Sequence, residues 1–330
     1  MLLVDKPVGP TSHDLVGFIR RLVGSRRVGH CGTLDPAASG LLVIAVGVAT
    51  RVVSLLSCAD KTYRADVILG RRTSTGDREG EILAEAHVGP EIGAKAVVAA
   101  QALAGEHMIS PPAHSAIKVD GERAYARVRR GEVVVMKPRL MNVLAVENVE
   151  IHEHSPGTLR VSLDLCVSKG TYIRSLAELL GERLGVPAYL GGLRRLACGR
   201  LRVDDPRALH PVAIPQPADA RWRWRLCLDP ESEGPERAPA SALSPIDEIL
   251  ELPTVEFDRA APDFVRLTQG QALPGAIIGD LREGELVSLI ARDPEGALAT
   301  LVLGRISGDD DNRIVRPERV LHLDKVAPSA

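Results

Sequence analysis

The sequence predicts a body of mixed helices and strands followed by a small β domain. Three observations carry this. Helical stripes and strand alternations interleave over the first two thirds of the chain. A segment rich in Pro, Glu, Ser and Ala, "LDPESEGPERAPASALSP" at 228–245, then interrupts the pattern as a linker. From 250 to 325, short apolar runs alternate with Gly, Asp and Pro turns.

Taken in order, Leu2 to Val4 reads as a strand and "KPVGPTS" as a turn. A helix capped by Ser12 follows, with Leu15, Val16, Ile19, Leu22 and Val23 on one stripe. "LLVIAVG" is a buried strand or short helix and "ATRVVSLLSCA" a helix. In "TYRADVILG", Tyr63, Ala65, Val67 and Leu69 share one face of a strand. Residues 90–104 form an Ala-rich helix, and "ISPPAHSAIKVDGERAYARVRRGE" a Pro-led loop with a short basic helix. Residues 139–168 give two strands with a turn near "SPG", Tyr172 to Leu184 a helix, and "VPAYLGGLRRLACGRLRV" a basic extended stretch. The expected organisation is a body over 1–225 with an insertion around 105–131, a linker over 226–249, and the β domain over 250–325.

Composition narrows the function classes. The 330 residues are 45% apolar, enough to bury a real core, and no secretory signal or long apolar span is visible, so a cytoplasmic protein with no membrane contact is expected. The five cysteines (Cys31, Cys58, Cys166, Cys198, Cys227) are scattered without a CxxC pair and read as reduced thiols; no metal is implied. His152 and His154 alternate on a strand as a polar face. The net charge of −2 hides an asymmetry: residues 1–225 carry 31 Lys and Arg against 23 Asp and Glu, and the remainder 10 against 20. A basic body with an acidic end is compatible with a polyanion on the body.

The loop "RRVGHCGTLDPAASGLL" at 26–42 is the chemically loaded one. Pro36 restricts Asp35 to extended conformations, so its carboxylate is presented from a rigid turn, unless it merely caps a helix that follows. Taken singly, Tyr63 reads equally as a core aromatic, Arg174 as a surface charge, Leu193 as a packing residue and His30 as a solvated loop His. A hydrolase triad of Ser39, His30 and Asp35 has no GxSxG elbow behind it.

The combination is more specific. "GHCGTLDPAASGLL", "KTYRA", "SKGTYIRSLAELLG" and "GGLRRLACG" occur in the order and at the intervals of a pseudouridine synthase of the TruB type, and "VDKPVGPTSHDLV", "LGRRTSTGDREGEI" and "ISPPAHSAIKVDGERAYARVRRG" extend the resemblance over residues 1 to about 205. It implies an α+β fold: a catalytic domain on a mixed, largely antiparallel sheet with flanking helices and a thumb-like insertion, then a small PUA-like β domain. It also implies isomerisation of uridine 55 in the T arm of tRNA, without cofactor, metal or obligatory protein partner, by a chain expected to be a monomer.

Residue by residue, the resemblance makes Asp35 the essential carboxylate, Tyr63 the aromatic that stacks on the base, and Arg174 the partner ion of Asp35. Tyr172 neighbours them, Leu193 forms an apolar floor, His30 enters the RNA loop near the flipped nucleotide, and Lys6 and Asp77 match further pocket positions. Arg20, Arg21, Arg26, Arg27, Arg194, Arg195, Arg200 and Arg202 are then the expected phosphate contacts. The chemistry suits these types. The bond from ribose C1′ to base N1 breaks, the base turns, and C1′ rejoins base C5, with no redox change and no group lost. Asp35 can serve as a nucleophile on the sugar, as a base taking the C2′ proton, or as a nucleophile on the base. The planar fork of Arg174 would aim it, and stacking on Tyr63 would offset the cost of flipping.

The chain departs from the family pattern at Cys31, where Thr is common, and in a longer 206–248 segment whose "RWRWR" holds Trp222 and Trp224, read as linker packing with a basic-aromatic RNA contact as the alternative. Two rivals stay open: an RNA-binding chaperone that unfolds the tRNA elbow, and the guide-RNA-dependent relatives that share the catalytic motifs.

Overall fold

The computed structural model describes residues 1–115, 117–220, 223–228, 242–250, 252–275, 281–308 and 312–323. Trp222 and most of the expected linker, 229–241, lie outside the described residues.

The body is built on one nine-stranded sheet. Its main strands are β1 (Leu2–Lys6), β2 (Val28–His30), β3 (Ala38–Val46), β4 (Lys61–Leu69), β5 (Gly105–Ile109), β6 (Arg139–Ser155), β7 (Thr158–Val167) and β8 (Ala188–Cys198), in spatial order β1-β3-β8-β4-β7-β6-β5. β2 pairs with β3, and the short strand Leu201–Arg202 with β8. "LLVIAVG" is therefore strand, as its β-branched, fully buried residues favour, and "ATRVVSLLSCA" is a 3-10 turn, Gly47–Val52, running into the short helix Val53–Leu56. The alternation in β4 resolves as read: Tyr63, Ala65, Val67 and Leu69 all face the core.

Helix α1 (Ser12–Leu22) corrects one expectation. Its N-cap is Thr11, whose hydroxyl accepts from the Asp14 amide (3.1 Å) while the Asp14 carboxylate takes the Thr11 amide (2.8 Å), a reciprocal capping box. Because Thr11 satisfies the helix end, Ser12 is released for a tertiary contact: its Oγ accepts from the Leu34 amide and donates to the Leu34 carbonyl, both at 2.9 Å. Helix α2 (Pro90–Gln101) and helix α3 (Ile173–Leu184) cover the sheet's other half. α3 buries Ile173, Leu176, Ala177 and Leu180 against β4, β7 and β8, at about 1.5–3 kcal/mol for each large side chain.

The strands that matter most are β3, β8 and β4. β8 runs parallel to β3 (Leu193 opposite Ala38, Arg195 opposite Gly40) and antiparallel to β4 (Leu193 opposite Ala65, Arg195 opposite Tyr63). Gly40 has φ +100°, and a Cβ there would collide with the backbone of Arg195, 2.6 Å from its nitrogen, so this register needs glycine. The chain between Asp35 and β3 is a turn, with the Ala38 amide donating to the Asp35 carbonyl at 3.0 Å. No helix follows Asp35, so the helix-cap reading of that residue is set aside.

Beyond the sheet, Pro211–Pro215 and Trp224–Leu228 form a two-stranded ribbon whose Leu226 and Leu228 pack with α1. The C-terminal part is a five-stranded sheet, from Thr254–Glu256 to Ile314–His322, with Phe264 of the helix Pro262–Thr268 in its core. Ile290, Leu301 and Leu321 of this sheet share one apolar cluster with Leu3, Leu41 and Val43 of the body, so the two parts pack against each other. No helix among the described residues is long and apolar enough to cross a membrane.

Candidate active site

A cleft opens where the 35–38 turn, β8 and the start of α3 meet, lined by Asp35, Ala37, Ala38, Asp77, Arg174 and Leu190 to Leu193. Arg174 is its centre. Placed in the first turn of α3 it is buried, its side chain 8% exposed; Nη2 lies 3.0 Å from Asp35 Oδ2 and Nη1 3.6 Å from Asp77 Oδ2. The same guanidinium donates to the carbonyls of Thr75 (3.1 Å) and His114 (3.0 Å), so its plane is fixed from both sides. Asp77 is held in turn by the Thr75 hydroxyl (2.6 Å) and the Glu79 amide (3.0 Å), and its backbone is bridged to Leu190 of β8. The Asp35 side chain, by contrast, is 45% exposed. The arrangement is a fixed cation that aims one solvent-facing carboxylate into a cleft with an apolar edge at Leu190 and Leu193.

The loop carrying Asp35 is tied down from several directions. Lys6 is fully buried, and its Nζ donates to the carbonyls of Ala38 (2.7 Å), Pro7 (2.9 Å) and Pro36 (3.5 Å). Burial pulls its ammonium down from the ordinary 10.5 to about 8, with the charge of Asp35 opposing that fall. Arg195, expected at a phosphate, is 3% exposed: Nε donates to the Leu41 carbonyl (2.6 Å), and Nη1 and Nη2 reach those of Thr33 and Gly32 (both 3.4 Å). The sequence pattern cannot separate it from Arg194. On β8 successive side chains face opposite ways, so one of two adjacent arginines turns into the protein while the other stays nearer solvent. Arg195 is thus corrected from a phosphate contact to an internal strut of the loop that carries Asp35.

The other candidates distribute as follows. Leu193 lines the cleft. Tyr63 is buried in the apolar cluster that also holds Leu34, Ala38 and Ile173. Tyr172 is the half-buried N-cap residue of α3, and burial raises its phenol above the ordinary range. His30 sits half-buried on β2; burial, then the charge of His13, pushes its imidazole down, which keeps it neutral near pH 7. Arg20, Arg21, Arg26 and Arg27 are exposed around the end of α1 and the start of β2, where Arg20 reaches the Val28 carbonyl (3.2 Å). Arg194 makes a two-pronged pair with Asp5 (2.7 and 2.9 Å), Arg202 pairs with Asp204 (3.0 Å), and Arg200 donates to the Glu248 carbonyl. Cys31 is buried, and its thiol is pushed up to about 12, so the exchange from the common Thr leaves an inert group. Among the described residues no cluster of three or more His, Cys, Asp or Glu is placed to hold a metal ion.

Sequence reasoning missed Arg195 as a strut, the Ser12–Leu34 contact, and the carbonyls of Thr75 and His114 that lock Arg174. The last two come from segments 99 and 60 residues away in the chain, and no local pattern marks a carbonyl as a ligand.

Residues 20–173 match the model of the TruB family pseudouridylate synthase N-terminal domain. The tRNA pseudouridine synthase B of Ralstonia nicotianae is 37% identical over 326 residues, covering 98% of this chain and 94% of that protein. The chain belongs to the TruB family of pseudouridylate synthases. The enzyme of the same name from Leifsonia xyli is 45% identical over 227 residues, 67% of this chain and 72% of that one. Among solved structures, that of a Cbf5-Nop10-Gar1 complex superposes with a TM-score of 0.65 at 26% identity, covering 98% of this chain and 85% of that one. The α+β class with a PUA-like C-terminal β domain is therefore the fold of this TruB chain, and pseudouridine synthesis its activity.

Lys6 gives this TruB family member a testable pH response. Below pH 8 the amine is protonated in folded and unfolded chains alike, so its burial is a constant penalty. Between about 8 and 10.5 the unfolded chain holds the proton more tightly, so stability contributed by Lys6 rises with pH across that window. The ammonium's hydrogen bonds to the loop weaken over the same range, since charge-assisted bonds are roughly twice as strong as neutral ones. The single-turnover rate is expected to fall above about pH 8 while the urea midpoint does not, and Lys6→Met should lack that alkaline limb. An unchanged limb in Lys6→Met would remove Lys6 as its source.

Proposed function

We propose that this chain isomerises uridine to pseudouridine at position 55 in the T arm of tRNA, in the cytoplasm, acting as a monomer without guide RNA, cofactor or protein partner, with Asp35 as the working carboxylate. The observation that carries the reading is the pairing of a half-exposed Asp35 with a buried, doubly anchored Arg174. A site built only to bind a polyanion gains nothing from a carboxylate at its mouth; a site that must attack a sugar or base, or move a proton, needs one.

In this reading the uridine leaves the RNA stack and enters the cleft, at a cost of a few kcal/mol. Tyr63 and Leu193 flank the base, and His30, neutral near pH 7, takes the vacated place in the loop. Asp35 serves the cleavage of the C1′–N1 bond, held in direction by Arg174, with Asp77 behind it and Tyr172 beside it. The base turns, C1′ bonds to C5, the C5 proton passes to solvent, and N1, freed from the sugar, takes up a proton in its place. Exposed Arg20, Arg21, Arg26 and Arg27, with Arg200 and Arg202, neutralise phosphates without reading bases; Arg194 contributes if it trades Asp5 for a phosphate.

The test is tritium release to water from C5-tritiated T-arm RNA, with no guide and no added protein. Release stoichiometric with uridine 55 is expected. Tight RNA binding without release would move the chain to the chaperone reading, and release only with a guide and accessory proteins to the guide-dependent one.

A further inference from the structure

The ribbon whose second strand begins at Trp224 has no role in the reading above, yet it touches the turn carrying Asp35 at one remove. Trp224 pairs with Pro215 across the ribbon and is half-buried. A Cβ built on Gly9 would lie 2.5 Å from Cζ2 and 2.7 Å from Cη2 of that indole, so the ring lies close against the Gly9 backbone, and Gly9, at φ +111°, is the residue that allows both the turn and the approach. The Gly9 amide in turn donates to the Pro36 carbonyl at 2.9 Å, next to Asp35. The ribbon itself is fixed: Leu226 and Leu228 pack with α1, and just before it Leu209 exchanges backbone hydrogen bonds with Leu3 and Asp5 of β1, both 2.8 Å. The Arg223 guanidinium stacks over the indole at 5.8 Å from the ring centre.

We propose that Trp224 is a positioning residue of the synthase: by pressing the Pro7–Pro10 turn onto Pro36 it holds Asp35 in line with Arg174. The role rests on Asp35 being the working carboxylate. Lys6 bonds the carbonyls of Pro36 and Ala38 and Arg195 those of Gly32, Thr33 and Leu41, whereas Trp224 reaches Pro36 only through Gly9. The partly buried indole spends part of its surface on Gly9, a contact that a role in RNA stacking alone does not account for.

The experiment compares the full chain with Trp224→Ala, Trp224→Leu and Trp224→Phe. Single-turnover tritium release at saturating T-arm RNA should fall about tenfold in Trp224→Ala, with KM within about twofold, since misplacing a catalytic group by about 1 Å costs up to about 10²-fold. Trp224→Phe should recover most of the rate. Independently of any RNA, the Gly9 amide should exchange with solvent at least about tenfold faster in Trp224→Ala, and Trp224→Phe should restore its protection. If Trp224→Ala does not fold, Trp224→Leu, which keeps apolar bulk without the flat ring, replaces it in both arms. Unchanged Gly9 exchange would overturn the proposal whatever the substrate is, and a raised KM at unchanged rate would overturn it by assigning the ribbon to RNA binding. Faster Gly9 exchange in a chain that releases no tritium even as wild type would uphold the strut and locate the failure in the substrate reading.

Discussion

Replacing Asp35 by Asn is expected to abolish turnover while leaving tRNA affinity within about tenfold, roughly 1.4 kcal/mol. The substitution keeps the side chain's shape and an oxygen for Arg174 Nη2, 3.0 Å away in the wild type, so the cleft should not collapse. What disappears is the group able to attack or to take a proton. Removing a negative charge from a half-exposed position inside a polyanion site has no reason to weaken binding. Tritium release and filter binding on the same preparation separate the two effects. Turnover comparable to wild type would take Asp35 out of the mechanism.

Arg174→Lys is expected to lower the single-turnover rate by about 10²–10³-fold with little change in RNA affinity. One guanidinium serves Asp35, Asp77, Thr75 and His114 together, and an ammonium, a point donor, cannot hold that planar geometry. Arg174→Met should lose the activity too and in addition unfold more readily, by about 3 kcal/mol, because Asp77, 11% exposed at its side chain, keeps its charge without a cation. The two variants thus separate aim from charge balance: urea midpoints should place Lys between wild type and Met, while both lose the rate. A Lys variant retaining half the wild-type rate would show that charge alone suffices.

Much of this was legible from the residues. The alternation in "TYRADVILG" gave β4 and its buried face, the helix read over Tyr172 to Leu184 is the one that carries Arg174, and the Asp-Pro step gave a rigid turn presenting a carboxylate. The motif order gave the family that the comparisons establish. Local patterns went wrong where a neighbour in space outcompeted one in sequence. Ser12 has the chemistry of an N-cap, but Thr11 and Asp14 close the helix end and leave Ser12 to hold Leu34. "ATRVVSLLSCA" has helical spacing but only Val53–Leu56 in its middle forms α-helix, the part before it winding as 3-10.

By itself the sequence determined which groups are available and on which kind of element: a carboxylate in a Pro-locked turn, a guanidinium at a helix start, an aromatic on a strand, and a basic body. Only the tertiary structure decided their partners, because the parallel pairing of β3 with β8 joins residues more than 150 positions apart. That pairing turns Arg195 inward onto the loop that carries Asp35 while its neighbour Arg194 meets Asp5, and the ribbon's fold-back sets Trp224 on Gly9. Adjacent identical residues acquire opposite roles because a strand alternates its faces, and which face is inside depends on the strands that come to lie beside it.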